Sequence, residues 1–186
     1  MMPTEPAPQL SPELARRARG LRALLTDVDG VLTDGLLRYG ASGEEIKAFS
    51  VRDGLALKLA REAGLVVGLL SARSHEALIR RADELGLDEV MLGRGDKGHA
   101  FNRFLAERGL GASEVAFVGD DLPDLPVLAR CGLSFCPSDA AREVQAHCDV
   151  VVEKPGGRGA VREAVEMLLN ARGQWRDLLA NFLPPS

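Results

Sequence analysis

Short apolar runs alternate with longer amphipathic stretches along most of the chain. The runs occupy residues 21–26, 65–70, 89–92, 115–118, 133–136 and 149–152. Each is too short for a helix, and several are nearly continuous in Val and Leu, as strands buried on both faces are. Between them the apolar spacing changes to that of helices. Leu78, Ala82 and Leu85 recur at i, i+4, i+7; Phe101, Phe104 and Leu105 repeat the spacing over 97–108, and Val161, Val165, Leu168 and Leu169 do so near the C-terminus. Ser11-Pro12 reads as an N-cap with Pro at the first helical position, opening a helix to Arg19. Strand–helix alternation of this kind predicts an α/β fold: a Rossmann-like, doubly wound parallel sheet flanked by helices. Residues 36–49 break the alternation. Tyr39-Gly40-Ala41-Ser42-Gly43 between two short extended runs predicts a β-hairpin flap after the first strand, with no room for a large cap domain. The expected layout is a disordered, Pro-rich segment over 1–10, one domain over 11–173, and a tail over 174–186.

Composition narrows the function classes. Of 186 residues, 46% are hydrophobic and 27% charged, which is globular and sufficient for a core without staples. Aromatics at 4% leave no stacking platform for single-stranded nucleic acid, and a net charge of −4 leaves no basic field for nucleic acid or an anionic membrane. No apolar run approaches the ~20 residues that span a bilayer, and the opening residues lack the apolar stretch of a signal peptide. Cys131, Cys136 and Cys148 form no CxxC pair, so reduced buried thiols are expected, without a zinc site. A cytoplasmic location follows as the expectation.

In an open α/β sheet, ligands bind beyond the carboxyl ends of the strands. After run 21–26 come Asp27, Asp29 and Gly30; after 65–70, Ser71 and Arg73; after 89–92, Asp96 and Lys97; after 115–118, Gly119, Asp120, Asp121 and Asp124. Acid pair, hydroxyl, lysine and acid cluster thus fall on one edge. Singly, each has an ordinary explanation as a turn, a helix cap or a surface lysine. Two residues apart on an extended segment, Asp27 and Asp29 point the same way, and burial together creates a charge conflict that a cation removes. With Asp120 the donors are all oxygen, which suits Mg²⁺ and not zinc. Lys97 and Ser71 supply a cation and a donor for phosphoryl oxygens.

These residues carry a resemblance. DVDG at 27–30, Ser71, Lys97 and GDDLPD at 119–124 resemble the four motifs of the haloacid dehalogenase superfamily of phosphohydrolases. TDVDGVLTDG, KAFSVRDG, LGLDEVMLGRGDK, VAFVGDDLPDLPVL and GGRGAVRE extend the resemblance over about residues 20–173, to the cap-less branch that releases 3-deoxy-D-manno-octulosonate from its 8-phosphate. The resemblance implies that Asp27 is the nucleophile and Asp29 the general acid and base. It implies Mg²⁺ on Asp27, the Asp29 carbonyl and Asp120, with Asp121 and Asp124 in support, and Ser71 and Lys97 on the phosphoryl group. Thr33, Arg52, Asp53, Gly54, Arg73 and Arg158 are the implied substrate-binding residues, and a homotetramer built through the flap is the implied assembly. Three glycines around Arg158 suit a mobile arm. Ser71-Ala72-Arg73 replaces the family's usual Thr-Gly-Arg; the hydroxyl is kept, and the Cβ of Ala72 is compatible only with negative φ.

Four other readings compete. Enzymes acting on nine-carbon keto-sugar acid 9-phosphates share much of the pattern. A receiver-type signalling domain lacks a second carboxylate in the position of Asp29, and a dehalogenase needs no acid there because halide leaves unprotonated. An inactive scaffold would not be expected to keep the full motif set.

Overall fold

The computed structural model describes residues 9–43 and 45–183. Six strands form one parallel sheet: β1 (Ala23–Thr26), β4 (Val66–Leu70), β5 (Glu89–Met91), β6 (Val115–Val118), β7 (Leu133–Cys136) and β8 (Val150–Val151). β2 (Arg38–Tyr39) and β3 (Glu45–Ile46) pair antiparallel as the separate hairpin that the pattern predicts. The sheet order is β5-β4-β1-β6-β7-β8, so the winding reverses at β1. β1 pairs with β4 and β6, with Thr26 opposite Leu69 and Val118. That reversal opens a crevice beyond the carboxyl ends of β1 and its neighbours.

Side chains from each strand alternate between two apolar layers. Leu24, Val67, Leu69, Ala116 and Val118 face α1 (Pro12–Arg19), α2 (Val51–Glu62), α3 (Glu76–Leu85) and α7 (Ala160–Ala171). Ala23, Leu25, Val115 and Phe117 face α4 (Lys97–Arg108), α5 (Leu125–Leu128) and α6 (Arg142–Gln145). The core is therefore two-sided, which is why the strand runs are continuously apolar. Ser11 caps α1 as expected, its hydroxyl accepting from the Leu14 N–H at 3.4 Å.

Three features differ from the sequence expectations or complete them. α2 has no counterpart in the periodicity, because its buried positions include Gly54, Ala56 and Ala60 as well as Leu57 and Leu59, and it packs closely against α7. The expected tail contains a helix, α8 (Trp175–Ala180), with Trp175 and Leu178 against the core and Arg162 stacked 5.0 Å from the Trp175 ring centroid. Most of the segment expected to be disordered lies outside the described residues, but Leu10 packs on the core.

The third feature is the glycine turn before α7. It is docked, and the expected mobile arm is corrected. The Gly157 N–H donates to the Val31 carbonyl at 2.8 Å, and a Cβ on Gly156 would sit 1.9 Å from the Gly30 carbonyl oxygen. Gly157 has φ of +66°, and a Cβ there would meet the Thr33 backbone at 2.5 Å. Two backbones touching at this range require glycine. Asp53, only 1% exposed, holds the same turn from α2: its carboxylate accepts from the Gly159 N–H at 3.1 Å and the Arg162 N–H at 2.8 Å.

Asp53→Ala strands two backbone donors at the start of α7. The expected cost is about 1–3 kcal/mol, read as a lower urea midpoint at unchanged slope. A midpoint equal to that of the unmutated protein would show that other contacts fix the turn.

Candidate active site

Asp27 follows β1 directly. Its backbone N–H donates to the Val118 carbonyl at 2.8 Å, extending the β1–β6 ladder, and its side chain is turned into the crevice with the residue 6% exposed. Asp29 lies half-buried on the same loop, and Gly30 then takes φ of +91°. A Cβ on Gly30 would stand 2.0 Å from Asp120 Oδ2, so the glycine is what lets the two acid loops meet. A cleft of 310 Å³ is lined by Asp27, Asp29, Ser71, Arg73, Lys97 and Asp120, among others. It gathers the chemistry-bearing residues that follow four different strands.

Lys97 opens α4, which is capped by Asp96 accepting from the His99 N–H at 2.8 Å. Its ammonium is buried between Asp27 Oδ1 at 2.7 Å and Asp124 Oδ1 at 2.6 Å. Burial opposes the charge on Lys97, but the two carboxylates outweigh it and hold the ammonium above its ordinary pKa. Asp124 spends its second oxygen on the Asp120 N–H at 2.9 Å and the Asp121 N–H at 3.3 Å, which shapes the loop. Asp121 is exposed and caps the next turn through the Leu122 N–H at 2.8 Å.

Asp27, Asp120 and Asp124 each offer an oxygen within 4.8 Å of the others, a grouping that can hold a metal ion. Desolvation, then the Asp124 charge, pushes Asp27 up to about 6 against the pull of Lys97. Desolvation, then the charges of Asp27 and Asp124, pushes Asp120 up to about 8. Asp120 Oδ1 is buried with no hydrogen-bond partner. An all-oxygen donor set with an orphaned buried oxygen and two disfavoured carboxylates fits a hard divalent cation.

Ser71 is buried, and its hydroxyl accepts from the Arg73 N–H at 3.1 Å. Among the described residues no non-glycine has positive φ, so Ala72 takes the place of the usual glycine without backbone strain. Arg73 reaches Glu45 Oε2 at 2.5 Å and lies 3.7 Å from Asp29 Oδ2. Lys47 stands just after β3; its side chain is 2% exposed and pairs with both Asp29 Oδ1 and Glu45. Sequence reasoning did not single out Lys47 or Glu45. Lys47 stands inside KAFSVRDG, but a two-residue strand gives no periodicity that marks its buried face.

Other expected substrate-binding residues lie elsewhere. The Thr33 hydroxyl accepts from the Gly30 and Gly35 N–H groups at 3.4 and 3.3 Å and so organises the acid loop. Asp53 is occupied by the glycine turn. Gly54 is packed against Arg81, whose Nη2 would be 2.2 Å from a Cβ there. In this structure these three make contacts within the fold. Arg52 and Arg158 are exposed and outside the cleft. A larger cavity of 620 Å³ opens at the opposite edge of the sheet, but its Arg61 is bound to Asp88 at 2.9 Å, and it gathers none of the acid-loop residues.

Two acid loops, a hydroxyl and a buried lysine on a doubly wound sheet define a class, the haloacid dehalogenase-like hydrolases. The model of that family matches residues 89–164. The chain is 42% identical over 161 residues to 3-deoxy-D-manno-octulosonate 8-phosphate phosphatase KdsC of Haemophilus influenzae, covering 87% of this chain and 89% of that protein. To the KdsC of Salmonella typhimurium it is 39% identical, covering 89% and 88%. The crystal structure of the Moraxella catarrhalis phosphatase, in complex with magnesium, phosphate and KDO, superposes with a TM-score of 0.90 at 34% identity, covering 92% of this chain and 98% of that one. The chain belongs to the 3-deoxy-D-manno-octulosonate 8-phosphate phosphatase family.

The carboxylate cluster predicts a pH-dependent stability. Folded Asp27 and Asp120 hold protons that unfolded aspartates release near pH 3.8. Metal-free protein therefore binds more protons folded than unfolded between about pH 4 and 8, and this contribution is lost as pH rises through that window. The expected result is a thermal midpoint that falls with rising pH, less steeply in Asp120→Asn, and that Mg²⁺ raises more at about pH 8 than at about pH 5.5. Midpoints indifferent to Mg²⁺ at both values would remove the metal site.

Proposed function

We propose that this chain hydrolyses 3-deoxy-D-manno-octulosonate 8-phosphate to the free sugar acid and inorganic phosphate, with Mg²⁺ bound. The observation that carries the reading is the convergence of Asp27, Asp29, Ser71 and Lys97 on one cleft from two strand ends and a helix start. A carboxylate oxygen of Asp27 attacks phosphorus, and the bond from phosphorus to the C8 oxygen breaks. Asp29 gives its proton to that oxygen, so the sugar leaves as an alcohol. Asp29, now a carboxylate, takes a proton from water, whose oxygen attacks the aspartyl-phosphate and frees both phosphate and Asp27. Lys97 and the Ser71 hydroxyl hold phosphoryl oxygens throughout. Mg²⁺, held by Asp27, Asp120 and the Asp29 carbonyl, offsets the negative charge gathered on carboxylates and phosphoryl group.

The family relatives and the intact cleft support this substrate over a nine-carbon 9-phosphate. A homotetramer is the proposed assembly, supported by the apolar side chains that the hairpin and the start of α2 leave exposed: Leu36 at 61%, Tyr39 at 63%, Ile46 at 53% and Val51 at 80%. Among the described residues no helix is long and apolar enough to cross a membrane. With three free cysteines, a cytoplasmic enzyme is the proposed setting.

Phosphate release from the octulosonate 8-phosphate, the nine-carbon 9-phosphates and simple hexose phosphates tests the substrate. The eight-carbon compound is expected to have the highest kcat/KM, and Asp27→Asn to abolish its turnover. A preference for any other phosphate in that set would overturn the assignment.

Recognition of the distant carboxylate is proposed for Arg158, which is exposed outside its own subunit's cleft and in the proposed tetramer would reach the substrate of a neighbouring subunit. A planar fork pairs with a carboxylate better than an ammonium does. Arg158→Ala is expected to lower kcat/KM for the octulosonate phosphate by about ten- to a hundredfold, the ~1.5–3 kcal/mol of a charged hydrogen bond. p-Nitrophenyl phosphate has no carboxylate, and its turnover should change much less. Equal loss on both substrates, or none, removes Arg158 from substrate recognition.

A further inference from the structure

The hairpin carries a buried ammonium that the steps above leave unused. The Lys47 side chain is 2% exposed, and its Nζ lies between Asp29 Oδ1 and Glu45 Oε1, the latter at 2.8 Å. Glu45 is in turn held by Arg73, whose guanidinium also lies 3.7 Å from the other Asp29 oxygen. Asp29, Lys47, Glu45 and Arg73 thus form a closed ring of alternating charge between the acid loop, the hairpin and the loop after β4. Burial disfavours the charge on Lys47, but the two carboxylates overcome it, so the ammonium is retained.

The two Asp29 oxygens are not equivalent in this ring. Oδ1 bonds to Lys47, whereas Oδ2 is buried with no hydrogen-bond partner. A carboxyl group transfers a proton only through an oxygen aimed at the reacting atom, and a freely turning carboxyl spends most of its time misaimed. We propose that Lys47 is the positioning residue for Asp29: by engaging Oδ1 it fixes the side-chain rotation and leaves Oδ2 as the oxygen that exchanges the proton with the leaving group and then with water. This inference rests on the acid–base role of Asp29 proposed above. Glu45 holds Lys47 in place, and the hairpin thereby reaches the chemistry without touching the phosphoryl group.

A hairpin latch without this function makes a different prediction. Loss of positioning hurts only leaving groups that need a proton, whereas loss of a latch hurts every substrate. The experiment measures the phosphorylation step by rapid quench, with the octulosonate 8-phosphate as the alkyl substrate and p-nitrophenyl phosphate as the aryl one. Lys47→Met is expected to slow the alkyl substrate by about 100-fold and the aryl substrate by less than about threefold, matching the selectivity of Asp29→Asn. The double variant should be no slower than Asp29→Asn alone, because a positioning residue has nothing left to position. Because Glu45 holds Lys47 in place, Glu45→Gln loosens the Lys47–Asp29 contact and should slow the alkyl substrate by about tenfold and the aryl substrate by less than about threefold. That variant decides the matter if Lys47→Met does not fold: equal slowing of both substrates would assign the ring to latching. Equal slowing of both substrates by Lys47→Met, or slowing in the double variant that multiplies, overturns the role of Lys47 while the Asp29 assignment stands. If Asp29→Asn itself slows both substrates alike, the acid–base reading falls, and the role of Lys47 falls with it.

Discussion

The structure depends on one electrostatic constraint: several carboxylates must share a low-dielectric crevice at the sheet edge. Asp27, Asp120 and Asp124 each place an oxygen within 4.8 Å of the others. Like charges at that range, stripped of water, cannot all persist unaided. Lys97 resolves part of the conflict, bonding Asp27 and Asp124 from the first turn of a helix whose cap fixes its start. What remains falls on Asp120, whose buried unpartnered oxygen and raised pKa show where another cation belongs. The backbone follows the same demand. Gly30 has no side chain because Asp120 occupies that space, and Gly119 has none because Asp124 lies 2.7 Å from where its Cβ would be.

Much of this was legible in the sequence because the relevant signals are local. Six apolar runs became six parallel strands, and the hairpin stands where Tyr39 to Gly43 interrupt the alternation. The acid loops, Ser71 and Lys97 were readable because topology alone sends the residues after parallel strands to one edge. α2 was not readable, since a helix buried against another through Gly54, Ala56 and Ala60 has no single apolar stripe. Lys47 and Glu45 were missed for a related reason. Their burial is created by the hairpin folding onto the acid loop, a tertiary event with no sequence period. A quoted motif also does not separate residues that touch a ligand from those that build the loop, and Thr33 and Asp53 both bond backbone N–H groups of the surrounding turns.

The glycine turn shows how the two kinds of residue are joined. Asp53 on α2 fixes the start of α7, and α7 presents Gly156 and Gly157 to the backbone of the acid loop. Three segments far apart in sequence are thereby locked where Gly30, Val31 and Thr33 turn behind Asp27. Such close backbone contacts are hard to deform, because the interior has no slack to absorb even a methyl group. The loop that carries Asp27 is therefore anchored on three sides: by the ladder to β6, by the acids of the next loop, and by this turn.

The opposite side of the cleft is built differently. Phosphoryl chemistry sits on sheet ends and a helix start, which are held by the two-sided core. Asp29 instead answers to a two-strand hairpin through Lys47, and to a surface loop through Arg73. The two halves of the reaction thus have separate mechanical supports. In the proposed mechanism, a substitution in the hairpin changes how the leaving group is protonated while the charge balance around Asp27 stays intact. The reverse does not hold, because any shift of the acid loop moves Asp27 and Asp29 together. Variation in the hairpin is accordingly the route by which this architecture can adapt to a new alcohol without rebuilding its phosphate site.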